Sequence, residues 1–256
     1  MRNKKLVILI SILGGIALLI ILASVIFSVR TVTAVCRNSV DEQLNADVVE
    51  AADISFASIF MINKESITKK INDNVVYAEV KAVERVFPDK INLIYYKLSE
   101  DIQFKVGETY YKASSSGKVL GVGKSTSDVV AEVTLGNPAV SPSVGSYFNN
   151  ADSEDLSTLK VLYDNLDLFE YHGSQPLNKG IYAKIDLSGS DVVITTATGV
   201  KFDLRCGVDN MKRAGEDKIL EQLRIAVEMY VSGLFSKTSG RYIVSYNLSS
   251  SYSPSV

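Results

Sequence analysis

The sequence predicts an α+β protein: a single N-terminal transmembrane helix, a βααββ domain, and then a β-rich domain with inserted helices. Three observations carry that reading. Leu6 opens and Val29 closes a run of 24 residues without a charge, and this run lifts the mean hydropathy of the 256-residue chain to +0.14. Strand-like and helix-like periodicities follow it in the order β-α-α-β-β. Beyond residue 102 short alternating segments dominate, separated by Ser/Gly turns.

A helix of the apolar run reaches about 36 Å, enough to cross a hydrocarbon core of roughly 30 Å with some tilt. Without it the remainder is about 43 % hydrophobic, an ordinary globular content. Arg2, Lys4 and Lys5 precede the run, whereas Arg30 and Arg37 are soon followed by Asp41, Glu42, Asp47, Glu50 and Asp53. Positive flanks stay in the cytoplasm, so the expected localisation is a cell membrane, single-pass, with the N-terminus inside and an extracytoplasmic C-terminal portion. A cleaved signal peptide would have an apolar stretch of roughly 7–15 residues before an A-x-A-like site. Thr33-Ala34-Val35-Cys36 is also a poor lipoprotein site because Val35 is not small. The expected divisions are a tail over 1–5, the span over 6–29, a first domain over 30–101, a second over 102–248 and a disordered serine-rich tail over 249–256.

The net charge of −2 splits into +3 before the run and −5 after it. Such a balance excludes a chain that grips nucleic acid or anionic lipid by charge alone. Cys36 and Cys206 are the only cysteines. An oxidising compartment permits a disulfide, but their separation along the chain favours two free buried thiols.

In the first domain, residues 29–36 alternate as a half-buried strand does. Ser39-Val40-Asp41-Glu42 reads as a capping box for a helix with Leu44, Val48 and Val49 on one face. Asn63 is a good N-cap for a second helix through about residue 72, with Ile67 and Ile71 on its apolar stripe. Strands over 76–87 and 91–96 follow, with Pro88-Asp89 as the turn. In the second domain, strands are expected over 103–111, 129–135, 181–187, 191–196, 200–204 and 241–247. Ser153 caps a helix carrying Leu156, Leu159, Leu162 and Leu166. A longer helix over 216–235 presents Ile219, Leu220, Leu223, Ala226 and Tyr230.

Catalytic motifs are weak. Ser66-Ile67-Thr68-Lys69 matches the S-x-x-K nucleophile string, yet so do 115–118 and 157–160. Lys237-Thr238-Ser239 is a broken K-T-G. Gly123-Lys124-Ser125 lacks the preceding glycine of a phosphate loop, since that position is Lys118. His172 is the single histidine, which leaves no His-rich metal site and no spare for a triad. The acid pairs Glu100-Asp101 and Glu154-Asp155 fall at element ends, where acids serve as caps. No catalytic, cofactor or metal site is expected.

The element order and its residues resemble the FtsQ/DivIB family of bacterial cell-division proteins. The resemblance rests on Arg37-Asn38 at the family's turn, Ile59-Phe60-Met61-Ile62-Asn63, Val76-Tyr77-Ala78-Glu79-Val80, Arg85-Val86-Phe87-Pro88 and Ile91-Asn92-Leu93. It continues through Gly117-Lys118-Val119-Leu120, the stretch from Gly199-Val200-Lys201-Phe202 to Gly207, and Lys218 with Leu223. The chain departs from the family pattern at Lys97-Leu98-Ser99-Glu100, Ser114 and Ser245.

The resemblance implies that the first domain is POTRA-like and the second is the family's β domain. It implies a non-enzymatic bitopic divisome scaffold that helps recruit and regulate septal peptidoglycan synthesis. Expected partners are FtsB/DivIC-like and FtsL-like bitopic division proteins, and the membrane through the single span, with no nucleic acid and no small-molecule substrate. The family contact adds a partner strand to the last strands of the β domain, which maps here to Arg241, Tyr242, Ile243, Val244, Ser245, Tyr246, Asn247 and Leu248. Tyr242, Val244 and Tyr246 share one face of that strand. An internal strand whose tyrosines are core is the competing reading. Residues 76–86 are a second candidate surface. The alternative functions are a membrane-anchored Ser–Lys hydrolase using Ser66 and Lys69, and a POTRA-bearing adaptor of a secretion or sporulation complex.

Overall fold

The computed structural model describes residues 2–127, 129–136, 142–148, 153–170, 181–205, 214–232 and 238–254. The chain divides into two units, Met1–Leu98 and Ser99–Val256. His172, Cys206, Gly207, Lys237 and the last residues of the helix expected over 216–235 lie outside the described residues.

The first unit starts with α1 (Arg2–Ile26). The expected membrane-spanning helix and single-pass localisation are corrected: among the described residues no helix is long and apolar enough to cross a membrane. Leu6 falls within α1, but the helix stops at Ile26, and Val29, read as the end of the span, is fully buried in the core of the first unit. Its N–H donates to the Ala57 carbonyl at 2.8 Å and its carbonyl accepts from the Phe56 N–H at 2.7 Å.

A three-stranded sheet follows in the order β1-β3-β2, built from β1 (Thr31–Cys36), β2 (Ala78–Val86) and β3 (Lys90–Lys97). β1 runs parallel to β3, pairing Thr31 with Lys90 through to Cys36 with Tyr95, and β2 is antiparallel to β3. Strict alternation buries Ile91, Leu93 and Tyr95 of β3. A bulge between Val80 and Ala82 shifts the phase of β2, so its core residues are Ala78, Val80 and Val83.

Two helices cover this sheet, α2 (Glu42–Ala52) and α3 (Lys64–Asn74). The α3 cap is as expected: the Asn63 side chain accepts from the Ser66 N–H, and Ile67 and Ile71 are buried. The α2 cap differs. Asp41, not Ser39, is the N-cap and accepts from the Leu44 N–H at 3.0 Å. The residues before it are already engaged. Asn38 bonds both the carbonyl and the N–H of Lys97 with its side chain, at 2.9 Å each, and Ser39 Oγ lies 3.2 Å from Cys36 Sγ. Those contacts prolong the sheet past β1, and the helix starts later. Cys36 is a free thiol, half-buried rather than buried.

The second unit is one mixed nine-stranded sheet. Its strands are β4 (Ile102–Val106), β5 (Thr109–Ala113), β6 (Val119–Val122), β7 (Ala131–Thr134), β8 (Tyr182–Asp186), β9 (Val192–Thr196), β10 (Lys201–Leu204), β11 (Arg241–Val244) and β12 (Ser250–Ser253), in the spatial order β12-β11-β10-β9-β8-β7-β4-β5-β6. The parallel pairs β7/β8 and β10/β11 each need a crossover, and α4 (Glu154–Asp164) and α5 (Glu216–Val231) supply them. α4 and α5 pack on each other. Ser153 caps α4 as expected, with its hydroxyl accepting from the Leu156 N–H at 3.2 Å.

Two expectations change. The single strand over 103–111 is a hairpin, because Gly107 at φ +60 turns the chain so that Val106 pairs with Thr109. The tail over 249–256 contains a strand, β12, which the Tyr252 side chain holds against β11.

Candidate partner-strand interface

The C-terminal margin of the large sheet is built from β10, α5, β11 and β12. Phe202, Tyr242 and Tyr252 are directly opposite one another on three successive strands, with centroids 5.9 and 5.0 Å apart. Tyr230 of α5 closes over Phe202 and Tyr242 at 5.7 and 6.1 Å. Tilted and edge-to-face rings at these separations gain more than their buried area alone. Burial of Tyr242 pushes its phenol above the usual range, with Tyr252 and Tyr230 adding to the shift.

The other anchors are polar. Gln222 of α5 is fully buried, and its side-chain NH2 donates to the carbonyls of Arg205 and Val244 at 3.0 and 3.2 Å. It therefore ties together the ends of β10 and β11. Buried Asp203 lies 3.5 Å from Arg241 and 3.8 Å from Arg205.

The residues expected to bind a partner fall into three classes. Arg241, Tyr242, Ile243 and Val244 form β11, which lies between β10 and β12. Tyr242 and Val244 are fully buried core, while Arg241 and Ile243 are half-buried on the opposite face. Ser245, Tyr246, Asn247 and Leu248 make the turn into β12, with Leu248 at φ +66 and the Ser245 N–H donating to the Ser249 carbonyl at 2.9 Å. Of these eight residues Tyr246 and Asn247 are exposed, and the Lys218 ammonium lies 5.4 Å from the Tyr246 ring. β11 is thus internal.

The outer strand is β12, which sequence reading missed. Its only sequence signal is the β-propensity of Tyr252 among serines. Antiparallel pairs alternate between bonded and non-bonded positions. Because Ser245 and Ser249 are a bonded pair, Ser251 and Ser253 turn their backbone groups toward β11, and Ser250 and Tyr252 turn theirs away from it. The parallel side agrees, since the carbonyls of Gly240 and Val244 accept from the N–H groups of Lys201, in β10, and Arg205, just beyond it.

The opposite margin of the sheet is treated differently. A loop caps β6: the Val119 N–H donates to Ser146, the Gly145 N–H donates to Val119, and Lys118 bridges to Tyr147. β2, the second candidate surface, is an edge of the small sheet, but its bulge and its charged Glu79, Lys81, Glu84 and Arg85 protect it from adding a strand.

The motif residues weighed for catalysis are otherwise engaged. Lys69 pairs with Asp73 one turn along α3, and the Ser66 N–H caps on Asn63. Lys124 lies 5.4 Å from the Tyr110 ring, and the Ser125 N–H donates to Gln103. Asp101 accepts from Ser99 and from the Ser115 N–H, and Asp155 accepts from the Gly136 N–H. Among the described residues there is no group of His, Cys, Asp and Glu that could hold a metal ion. No protein-family model matches this chain, and no curated protein matches it.

Proposed function

We propose that the protein is a non-enzymatic scaffold of the FtsQ/DivIB kind, which binds FtsB/DivIC-like and FtsL-like division proteins and helps recruit and regulate septal peptidoglycan synthesis. The observation that carries the reading is β12, a four-residue strand at the margin of a nine-stranded sheet with Ser250 and Tyr252 turning their backbone groups away from β11. Such an edge receives an extended segment by strand addition, with main-chain hydrogen bonds giving affinity and alternate side chains giving specificity. The contact moves from the sequence-based assignment on 241–248 to β12 and the turn at Tyr246 and Asn247. Its test has two arms. A fluorescent fusion to the full chain collects at mid-cell in dividing cells, and the chain co-purifies with a DivIC-like partner. A signal spread evenly through dividing cells, or no co-purification, overturns the proposal.

A further inference from the structure

In the first unit a groove of about 670 Å³ runs between α2 and α3 and ends at the approach to β2. Leu44, Ala51, Val75, Val76 and Tyr77 give it an apolar floor. Three carboxylates stand along its α2 wall. Asp47 and Glu50 are three residues apart on α2, about 4.5 Å along the axis on neighbouring turns, and Asp53 is the left-handed residue that ends the helix.

Each carboxylate is in a different state. Asp53 already binds a cation, the Lys70 ammonium across the groove at 2.9 Å. Asp47 accepts a single neutral hydrogen bond from Gln43 at 2.9 Å. Glu50 has no hydrogen-bond or ion partner among the described residues. The groove therefore contains one satisfied acid–base pair and two uncompensated negative charges beside exposed Tyr77. From Leu44 to Asp53 the wall is about 14 Å long, which matches roughly four residues of extended chain.

We propose that this groove docks an extended segment of a partner protein that carries a lysine or arginine. Its cation sits across Asp47 and Glu50, and a neighbouring apolar side chain lies on Ala51, Val76 and Tyr77. The cation matches the two unpaired carboxylates, as Lys70 matches Asp53. The apolar floor favours a peptide over a bare metal ion, which would leave that surface wet. Charges at the rim of such a contact set partner choice and association rate more than they set total affinity. This inference is independent of the β12 edge.

The test uses the full chain and arrayed hexapeptide pools, random except for one central position fixed as Arg, Lys, Glu or Leu. The Arg and Lys pools should be retained about tenfold more strongly than the Glu pool at low salt, with the preference shrinking as NaCl approaches 1 M. Asp47→Lys with Glu50→Lys should abolish that preference, the neutral pair Asp47→Asn with Glu50→Gln should weaken it, and Tyr77→Ser should lower retention of every pool. Ser250→Pro, at the other interface, should leave it unchanged. Equal retention of the Arg and Leu pools by the unaltered chain overturns the inference. So does a basic preference that survives in the double lysine variant or disappears with Ser250→Pro.

Discussion

Tyr242 and Tyr252 stand directly opposite each other across the β11/β12 pair, with ring centroids 5.0 Å apart, at a position where the backbones are not hydrogen-bonded to each other. Side chains approach most closely at such positions. The Tyr252 hydroxyl then reaches the Ser239 carbonyl at 3.2 Å, so the ring lies over Gly240, where an added Cβ would be 2.5 Å from that hydroxyl. Gly240 is also at φ +96. One aromatic ring thus holds the outer strand to the sheet, and one glycine makes room for it.

Tyr252→Ala should release β12 while leaving the rest of the sheet folded, at a cost of about 1–2 kcal/mol. Hydrogen exchange is the readout: the Ser251 and Ser253 amides should exchange faster, whereas Tyr252→Phe should stay near the native rate. Protection unchanged in Tyr252→Ala would show that the strand is held by something else.

Gly240→Ala combines a left-handed backbone with a collision against Tyr252. A loss of about 1–3 kcal/mol is expected in denaturant unfolding. The double variant Gly240→Ala, Tyr252→Ala should lose less than the sum of the two single changes, because removing the ring removes the collision.

Proline separates the two faces of β12. Ser250→Pro deletes an N–H that points away from β11, so partner binding should weaken by about tenfold or more while the melting temperature barely moves. Ser251→Pro deletes one that points toward β11 and should lower the melting temperature as well. Calorimetry beside partner titration distinguishes them. Val244 is unsuited to such a test because it is fully buried, so Val244→Lys would damage the core, whereas exposed Tyr246 tolerates Tyr246→Glu.

Gln222→Leu should cost about 1–3 kcal/mol, since the Arg205 carbonyl loses the amide donor and the buried Val244 carbonyl keeps only the Arg205 N–H. Gln222→Glu should be worse at neutral pH, because a carboxylate offers those carbonyls no proton. Urea midpoints for the two variants check both statements.

In the first unit, the ion pair of Lys97 with Asp41 at 2.8 Å holds the Asp41 carboxyl below the usual range and raises the Lys97 ammonium above its own. A depressed acid stabilises the fold above about pH 4 and loses that contribution as pH falls through its folded value; a raised base loses its contribution only in strong alkali. Asp41→Asn should therefore melt earlier than the unaltered chain at pH 7 and converge toward it near pH 2. Parallel melting curves at every pH would refute the linkage.

Sequence reading succeeded where one residue type settles a local geometry. Asn63 and Ser153 cap helices because a short acceptor side chain meets a free N–H, and Ile67 with Ile71 has to face a core. It failed where tertiary contacts decide. Ser39 looked like a cap until Cys36 and Asn38 took the preceding residues into the sheet. Residues 103–111 alternate well enough for one long strand, and Gly107 alone betrays the hairpin. β12 has almost no apolar pattern; it is a strand because β11 offers a row of backbone groups and Tyr242 a surface for Tyr252. The margin of the sheet was placed one strand too early, since edge or interior is a property of neighbours that a strand's own residues do not encode.

The position of β12 has a consequence for biosynthesis. Its four residues leave the ribosome after every other strand of the large sheet. Until they do, the sheet ends at β11 and displays the backbone of Arg241 and Ile243, which alternates out of step with that of Ser250 and Tyr252. A nascent or trimmed chain therefore offers a differently phased template from the finished one, and a molecule translated through Ser253 ends its sheet on Ser250 and Tyr252 instead.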